Sequence, residues 1–118
     1  MAIPTGSGTE VIKYAKITGL GASWTSIFTP VALHIYTVVS ILVTNEDSTA
    51  RTFTLAQADG ANTTNIHYFL IDQDIGNKET FVFNDKISWT DARHLRIIGS
   101  TSSNLDVYCT YIDQNWID

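Results

Sequence analysis

The chain has 118 residues, a length typical of one domain, and 50 of them are β-branched or aromatic, whereas Glu, Lys, Gln, Arg, Leu and Met together number only 21. Because β-branched and aromatic side chains fit a pleated sheet better than a helix, an all-helical fold is not expected, and a 44% hydrophobic content with 16% charge excludes disorder. A net charge of −5 with seven scattered basic residues argues against a nucleic-acid partner and against an anionic membrane surface.

Residues 1–9 differ from the rest of the chain. They contain Pro4, Gly6, Ser7 and Gly8 and show no hydrophobic periodicity, which predicts a flexible N-terminal arm followed by a single domain over residues 10–118. No signal-peptide pattern is found, and the single cysteine, Cys109, cannot form an intramolecular disulfide. Synthesis in a reducing cytoplasm is therefore expected.

Apolar and polar side chains alternate with period two along most of the chain, which predicts about eight strands. The candidate segments are 10–18, 23–29, 35–45, 51–57, 66–71, 79–83, 87–89, 94–99 and 105–113. Polar turn clusters separate them, and no helical period with a cap is present. The sequence therefore predicts an all-β fold, an antiparallel β-sandwich of about eight strands with jelly-roll or Ig-like Greek-key connections.

The segment 35–45 is the strongest strand candidate. It is apolar on both predicted faces, which indicates a central strand; one face has Ile35, Val39, Ile41 and Val43, and the other has Tyr36, Val38 and Leu42. A turn at 45–48 and the alternating segment 51–57 predict a hairpin, with Phe53 and Leu55 facing inward and Thr52 and Thr54 facing outward. The same strands account for the charge-free residues 17–45, which are too polar and β-branched for a membrane span.

Motifs that carry chemistry are missing from the sequence. His34, His67 and His94 lie on different segments without metal-ligand spacing. Residues 72–76 depart from a calcium loop because Ile75 precedes Gly76, which predicts an ordinary turn over 72–78 with Gly76 at positive φ. Cys109 alternates with apolar neighbours and is predicted to be a buried, inert thiol. We therefore expect no catalytic, cofactor or metal site, and no enzyme activity.

Large side chains near predicted strand ends are candidates for partner contact. Trp24, Trp89 and Trp116 are the largest anchors, and Ile3 and Pro4 could fill a shallow groove on a neighbour. The predicted partner-contact residues are Ile3, Pro4, Trp89, Trp116 and Ile117.

Several motifs between residues 36 and 112 occur in the same order as in one protein family. They are an alternating strand that ends in Asn45, the turn Ser48-Thr49-Ala50-Arg51, the strand Thr52-Phe53-Thr54-Leu55, the element Asn77-Lys78-Glu79-Thr80-Phe81-Val82-Phe83, and a Ser-rich hairpin over 95–112 that closes on Leu105-Asp106-Val107. In these motifs the chain resembles small β-sandwich structural proteins of tailed-bacteriophage virions, of the capsid decoration (cement) type.

The resemblance implies a function without catalysis or cofactors. Its expected partners are the major capsid protein or other virion subunits, its expected assembly is a homotrimer, and its expected location is the virion. Two alternatives stay open from the sequence: a carbohydrate- or receptor-binding β-sandwich module, and a neck or tail component of the virion.

Overall fold

The computed structural model describes residues 9–59, 64–90, 93–100 and 104–115. Within these ranges the chain forms nine strands: β1 (Thr9–Leu20), β2 (Thr25–Ser26), β3 (His34–Asn45), β4 (Arg51–Asp59), β5 (Thr64–Ile75), β6 (Thr80–Phe83), β7 (Ile87–Trp89), β8 (Arg93–Gly99) and β9 (Leu105–Asn115). The predicted N-terminal arm lies outside the described residues, except for Thr9, with which β1 begins. No helix in these ranges is long and apolar enough to span a membrane.

The strands form two antiparallel sheets. Sheet A has the order β1-β9-β3-β6, with β7 also paired to β3, and sheet B has the order β2-β8-β4-β5. The pairs are nested along the chain: the β4–β5 hairpin is innermost, followed outward by β3 with β6 and β7, β2 with β8, and β1 with β9. A nested hairpin folded over into two sheets is a jelly roll. The all-β sandwich prediction is confirmed, and its connections are of the jelly-roll kind.

The core lies between the inner faces of the two sheets. β9 contributes four of its side chains, which are all 8% exposed or less: Leu105, Val107, Cys109 and Tyr111. Sheet B faces them with Phe53, Leu55, Leu95 and Ile97, none more than 1% exposed. Burial of this apolar surface is the main stabilising contribution to the fold. The predicted shared face of β9 and the burial of Cys109 are confirmed.

A β-bulge at Val39 changes which residues of β3 face the core. Val38 pairs with Tyr111 and Ser40 with Thr110, so Val39 is an extra residue without a partner in β9. Side chains on either side of the bulge consequently share the inner face, and the buried ones are Tyr36, Val38, Ile41 and Val43. The prediction of two separate apolar faces is wrong because it assumed unbroken alternation. The central position of β3, between β9 and β6 or β7, is confirmed.

The predicted hairpin between residues 35–45 and 51–57 is also wrong, because β3 and β4 lie in different sheets. Asn45 is fully buried at this crossing. Its side-chain amide donates to the carbonyl oxygens of Thr49 (2.9 Å), Gly76 (3.2 Å) and Ile75 (3.3 Å). Its backbone N–H donates to Glu79 O at 2.9 Å. Asn45 therefore joins the β3–β4 connection to the β5–β6 turn, and the chain crosses between sheets there.

β5 extends further than the sequence predicts. Residues 72–75 belong to the strand, so the predicted turn over 72–78 is reduced to its second half. The backbone N–H of Asp72 donates to Thr54 Oγ1 at 3.0 Å, and Thr54, predicted to face outward, is buried beneath this segment. Lys78 has a φ of 59°, so this residue and not Gly76 adopts the left-handed conformation of the turn.

Candidate functional site

The outer face of sheet A exposes several large apolar side chains. Ile12 is 74% exposed, Tyr14 61%, Val82 53% and Tyr108 42%. We call these four residues the outer apolar face. The rings of Tyr14 and Tyr108 stack with their centroids 5.4 Å apart and their planes within 4°. This stack holds the two rings against each other, so the face offers exposed apolar surface of the kind that protein partners use.

A shallow depression of about 250 Å³ adjoins the outer apolar face. Its lining residues come from β1, β3 and β9: Lys16, Ile17, Thr18, Leu42, Thr44, Asp106, Val107 and Tyr108. The carboxylate of Asp106 accepts a hydrogen bond from the backbone N–H of Gly19 at 2.9 Å, which fixes the β1 bulge near Gly19. The depression is thus lined by the aromatic ring of Tyr108, the amine of Lys16 and the hydrogen-bonded carboxylate of Asp106. Such a lining suits a side chain or small polar group of a partner.

The structure places the predicted contact residue Trp89 in the core. It is 8% exposed, its indole N–H donates to Arg93 O at 3.1 Å, and its ring packs against Phe28 and Tyr36 at centroid distances of 5.9 and 5.6 Å. Trp89 therefore supports the aromatic end of the core and shows little surface. The other predicted contact residues, Ile3, Pro4, Trp116 and Ile117, lie outside the described residues.

The three histidines lie in separate environments. His34 Nδ1 is 2.6 Å from Asp113 Oδ1, His94 Nδ1 is 2.8 Å from Ser26 Oγ, and the His67 ring contacts Phe69 edge-on. Over the ranges described, no group of three or more His, Cys, Asp or Glu side chains is placed to hold a metal ion. Each histidine therefore contacts a different side chain, and the three do not form a common site.

Ser26, His94 and Arg96 form a polar cluster on sheet B that sequence reasoning missed. Arg96 is 6% exposed and donates to Ser26 Oγ at 2.9 Å and to Trp24 O at 3.1 Å. Burial, with the Arg96 charge as a second cause, lowers the pKa of His94 and so favours the neutral imidazole. Ser26 and His94 are 68 positions apart, and only the β2–β8 pairing brings them together.

This cluster ties the short strand β2 to its neighbour β8 within sheet B. The depression on sheet A is lined by other residues, so the hydroxyl and imidazole of the cluster do not open onto it. Catalysis by a serine–histidine pair also requires a substrate position beside the hydroxyl, with donors for the oxyanion that forms. The hydrogen bonds of Arg96 to β2 account for the cluster as a structural connection.

The chain is similar to known proteins in its fold and not in its sequence. No known protein family matches this chain, and no curated protein is similar to it in sequence. Solved structures do share its architecture. A chain of the capsid of Helicobacter pylori bacteriophage KHP30 is 11% identical, with a TM-score of 0.54, and the match covers 90% of this chain and 92% of that one.

Two further structures are similar to the same extent. A chain of Bacillus endospore appendages, which form disulfide-linked pili, is 16% identical with a TM-score of 0.54, and the match covers 100% of this chain and 97% of that one. The VP2 protein of infectious bursal disease virus is 7% identical with a TM-score of 0.56; the match covers 91% of this chain but only 32% of VP2. At these identities the likeness shows the fold alone.

Proposed function

We propose that this protein is a structural component of a bacteriophage virion, of the capsid decoration (cement) type, which stabilises the head by bridging capsid subunits. The observation that supports this most strongly is the match to the phage KHP30 capsid chain, because each chain is covered almost completely by the other. The same fold makes up only a third of VP2. A capsid chain that consists almost entirely of this fold supports a virion subunit built on the same fold.

The proposed mechanism is mechanical. A rigid sandwich that contacts several neighbours at once makes each subunit harder to release, since all its contacts must break together. The outer apolar face and the depression beside it supply one contact area, and the net charge of −5 favours a neutral or basic surface on the capsid. No catalytic group takes part in this mechanism.

Trimeric assembly and the chain ends are parts of the same proposal. A capsid lattice offers three-fold junctions, at which a homotrimer presents one contact set three times. Ile3, Pro4, Trp116 and Ile117 are proposed contacts with the capsid or a neighbouring copy. Deletion of residues 2–8 tests the N-terminal pair: we expect lower capsid occupancy at equal protein concentration. Equal occupancy would show that the N-terminal residues do not contribute to binding.

The central experiment uses phage particles that lack this chain. Purified protein is added to them, occupancy is measured by quantitative gel densitometry, and position is measured by immunogold labelling. We expect saturable binding to the head and greater resistance of the heads to heat. Label on the neck or tail would favour another virion component. Absence of binding, together with recognition of a glycan that Tyr108→Ala abolishes, would favour the carbohydrate- or receptor-binding module.

A filament subunit is the second candidate. The match to the chain of Bacillus endospore appendages, nearly complete in both directions, favours it. Cys109 is fully buried, so it is not accessible for a disulfide between copies in the native fold. Negative-stain images of concentrated protein distinguish the candidates: a filament subunit forms long fibres, whereas a decoration protein forms discrete particles.

A further inference from the structure

β1 forms one edge of sheet A. In the part of the chain that the structure describes, β1 (Thr9–Leu20) pairs with β9 through residues 9–17 and at Leu20, and with no other strand. The backbone N–H and C=O groups along its second edge are therefore open to a further strand. Edges of this kind bind extended segments by adding a strand to the sheet.

The outward-facing residues of this edge form a self-complementary pattern. Glu10, Ile12, Tyr14 and Lys16 share the outer face, because they lie opposite Gln114, Ile112, Thr110 and Tyr108 on β9. All four side chains are exposed. In chain order the pattern is acid, aliphatic, aromatic, base. A second copy that runs in the opposite direction places a base opposite each acid and an aromatic side chain opposite each aliphatic one.

We propose that β1 pairs with β1 of a second copy of this chain, antiparallel, around a two-fold axis that passes perpendicular to the sheet at Lys13. Glu10 then lies opposite Lys16 of the second copy, and Ile12 lies opposite Tyr14 of the second copy. Sheet A becomes continuous across the two molecules, with the outer apolar faces on the same side. The occupant of the edge is thus a second copy, in one register.

The alternation of side chains restricts the register. A shift of one residue would bring outer-face side chains opposite inner-face ones, which a two-fold axis perpendicular to the sheet does not allow. Shifts of two residues would place Glu10 opposite Tyr14 or Thr18. Only the register centred on Lys13 pairs both carboxylates with both amines, and opposite charges directly across a strand pair stabilise it.

The inner-face residues are compatible with this pairing. Lys13 lies opposite Lys13 of the second copy, but its Nζ is 3.0 Å from the carboxylate of Asp113 in its own chain, which offsets the repulsion. Val11 lies opposite Ala15 of the second copy, and Val11 is 47% exposed in the single chain. The pairing therefore covers an apolar side chain that the isolated sandwich leaves open.

This contact does not depend on the proposed function. It is a two-fold contact through the sheet edge, whereas the proposed capsid assembly is three-fold, so both can exist in one particle. The expected mass in solution is twice 13.1 kDa, or six times that value if the three-fold contact also forms without the capsid. Binding to phage heads tests the proposed function separately.

Charge reversal tests the pairing and its register. Glu10→Lys and Lys16→Glu each create two like-charge pairs, and we expect each to weaken association by roughly tenfold or more. The double variant E10K/K16E restores opposite charges and should associate as the wild type does. Asp85→Lys and Lys86→Glu make the same charge changes at exposed positions beyond β6, at the opposite edge of sheet A, and should leave association unchanged.

Sedimentation equilibrium over a concentration series gives the dissociation constants, and circular dichroism confirms that each variant is folded. Weakening by both single variants with recovery in the double variant would support the pairing in this register. A monomeric wild type throughout the series would overturn it. So would an assembly that neither single variant weakens, or a double variant as weak as the single ones.

Discussion

The imidazole Nδ1 of His34 lies 2.6 Å from Oδ1 of Asp113, which ties the first residue of β3 to the end of β9. The other carboxylate oxygen of Asp113 accepts from Lys13 Nζ at 3.0 Å. Asp113 is 6% exposed, so one buried carboxylate connects three adjacent strands of sheet A. A buried carboxylate is stable only when its hydrogen bonds replace those it made to water.

Asp113 should make stability depend on pH. Burial opposes ionisation, but the hydrogen bonds from Lys13 and His34 outweigh it and hold the pKa of Asp113 below its ordinary value of 3.8. A lowered folded-state pKa stabilises the fold above the unfolded pKa, and this contribution is lost as pH falls through the folded pKa. We therefore expect the free energy of unfolding, measured by urea denaturation, to decrease below pH 3.8.

The variant Asp113→Asn should flatten that decrease and destabilise the protein at pH 7 by about 1–3 kcal/mol, because the hydrogen-bonded charge is lost. Lys13→Met should cost less than Asp113→Asn, because the ammonium group is half-exposed and His34 still donates to the carboxylate. Asp85→Asn, in the exposed turn between β6 and β7, is the control. If the free energy of unfolding of Asp113→Asn falls as steeply at acid pH as that of the wild type, Asp113 is not the cause of the decrease.

Asn45→Ala should be one of the most destabilising single substitutions. Besides its three amide hydrogen bonds, Asn45 accepts from the backbone N–H of Asp47 at 2.9 Å through Oδ1. Removing the side chain breaks these hydrogen bonds at a fully buried position and takes the amide donor from the buried carbonyl of Ile75, so we expect a loss of about 3 kcal/mol or more in urea denaturation. Asn45→Asp should not rescue it, because a carboxylate cannot donate to those carbonyls.

The exposed Asn84→Ala is the matched control for this substitution. It should change the free energy of unfolding by less than about 0.5 kcal/mol. Equal losses in Asn45→Ala and Asn84→Ala would show that the crossing between the sheets does not depend on Asn45.

Cys109 should be chemically inert in the native protein. Burial raises the pKa of its thiol to about 12, so the reactive thiolate is nearly absent at pH 8, and no solvent reaches the sulfur. Titration with an aromatic disulfide reagent should therefore show no fast reaction until urea unfolds the chain, after which one thiol per chain reacts. Immediate reaction of the native protein would contradict the burial of Cys109.

Sequence reasoning located the strands because period-two alternation directly records which side chains face the core. It failed where the backbone departs from that period. At Val39 one extra residue reverses the phase of alternation, and no local signal marks the bulge. The β3–β4 crossing resembled a hairpin turn because the residues after Asn45 are good turn formers. Hydrogen bonds from Asn45 to residues about thirty positions away make the chain cross between the sheets there, and the local sequence does not show them.

The candidate surfaces were harder to predict than the strands. The Tyr14–Tyr108 stack and the Ser26–His94 pair each join residues far apart in the chain, and both follow from strand order. Trp89 has the size and chemistry of an interface anchor, and only the packing of Phe28 and Tyr36 against it shows that it belongs to the core.

Deletion of Val39 tests whether the bulge alone determines which residues of β3 face the core. Without Val39, the spacing between Val38 and Ile41 becomes two, so Tyr36, Val38, Ile41 and Val43 would stay on the inner face of a regular strand. We expect deletion of Val39 to keep the fold and to change the free energy of unfolding by less than about 2 kcal/mol, because the residue removed has no partner in β9 and its side chain is 39% exposed.

Deletion of Thr37 in the same strand is the control. It shifts Tyr36 by one position, so the ring either leaves the core or breaks the pairing with β7 and β9. Tyr36 is 1% exposed, and loss of a buried aromatic side chain costs about 3–5 kcal/mol. Urea denaturation and near-ultraviolet circular dichroism measure both variants. If deletion of Val39 destabilises the protein as much as deletion of Thr37, the extra residue is itself required, and the inner face of β3 is not set by spacing alone.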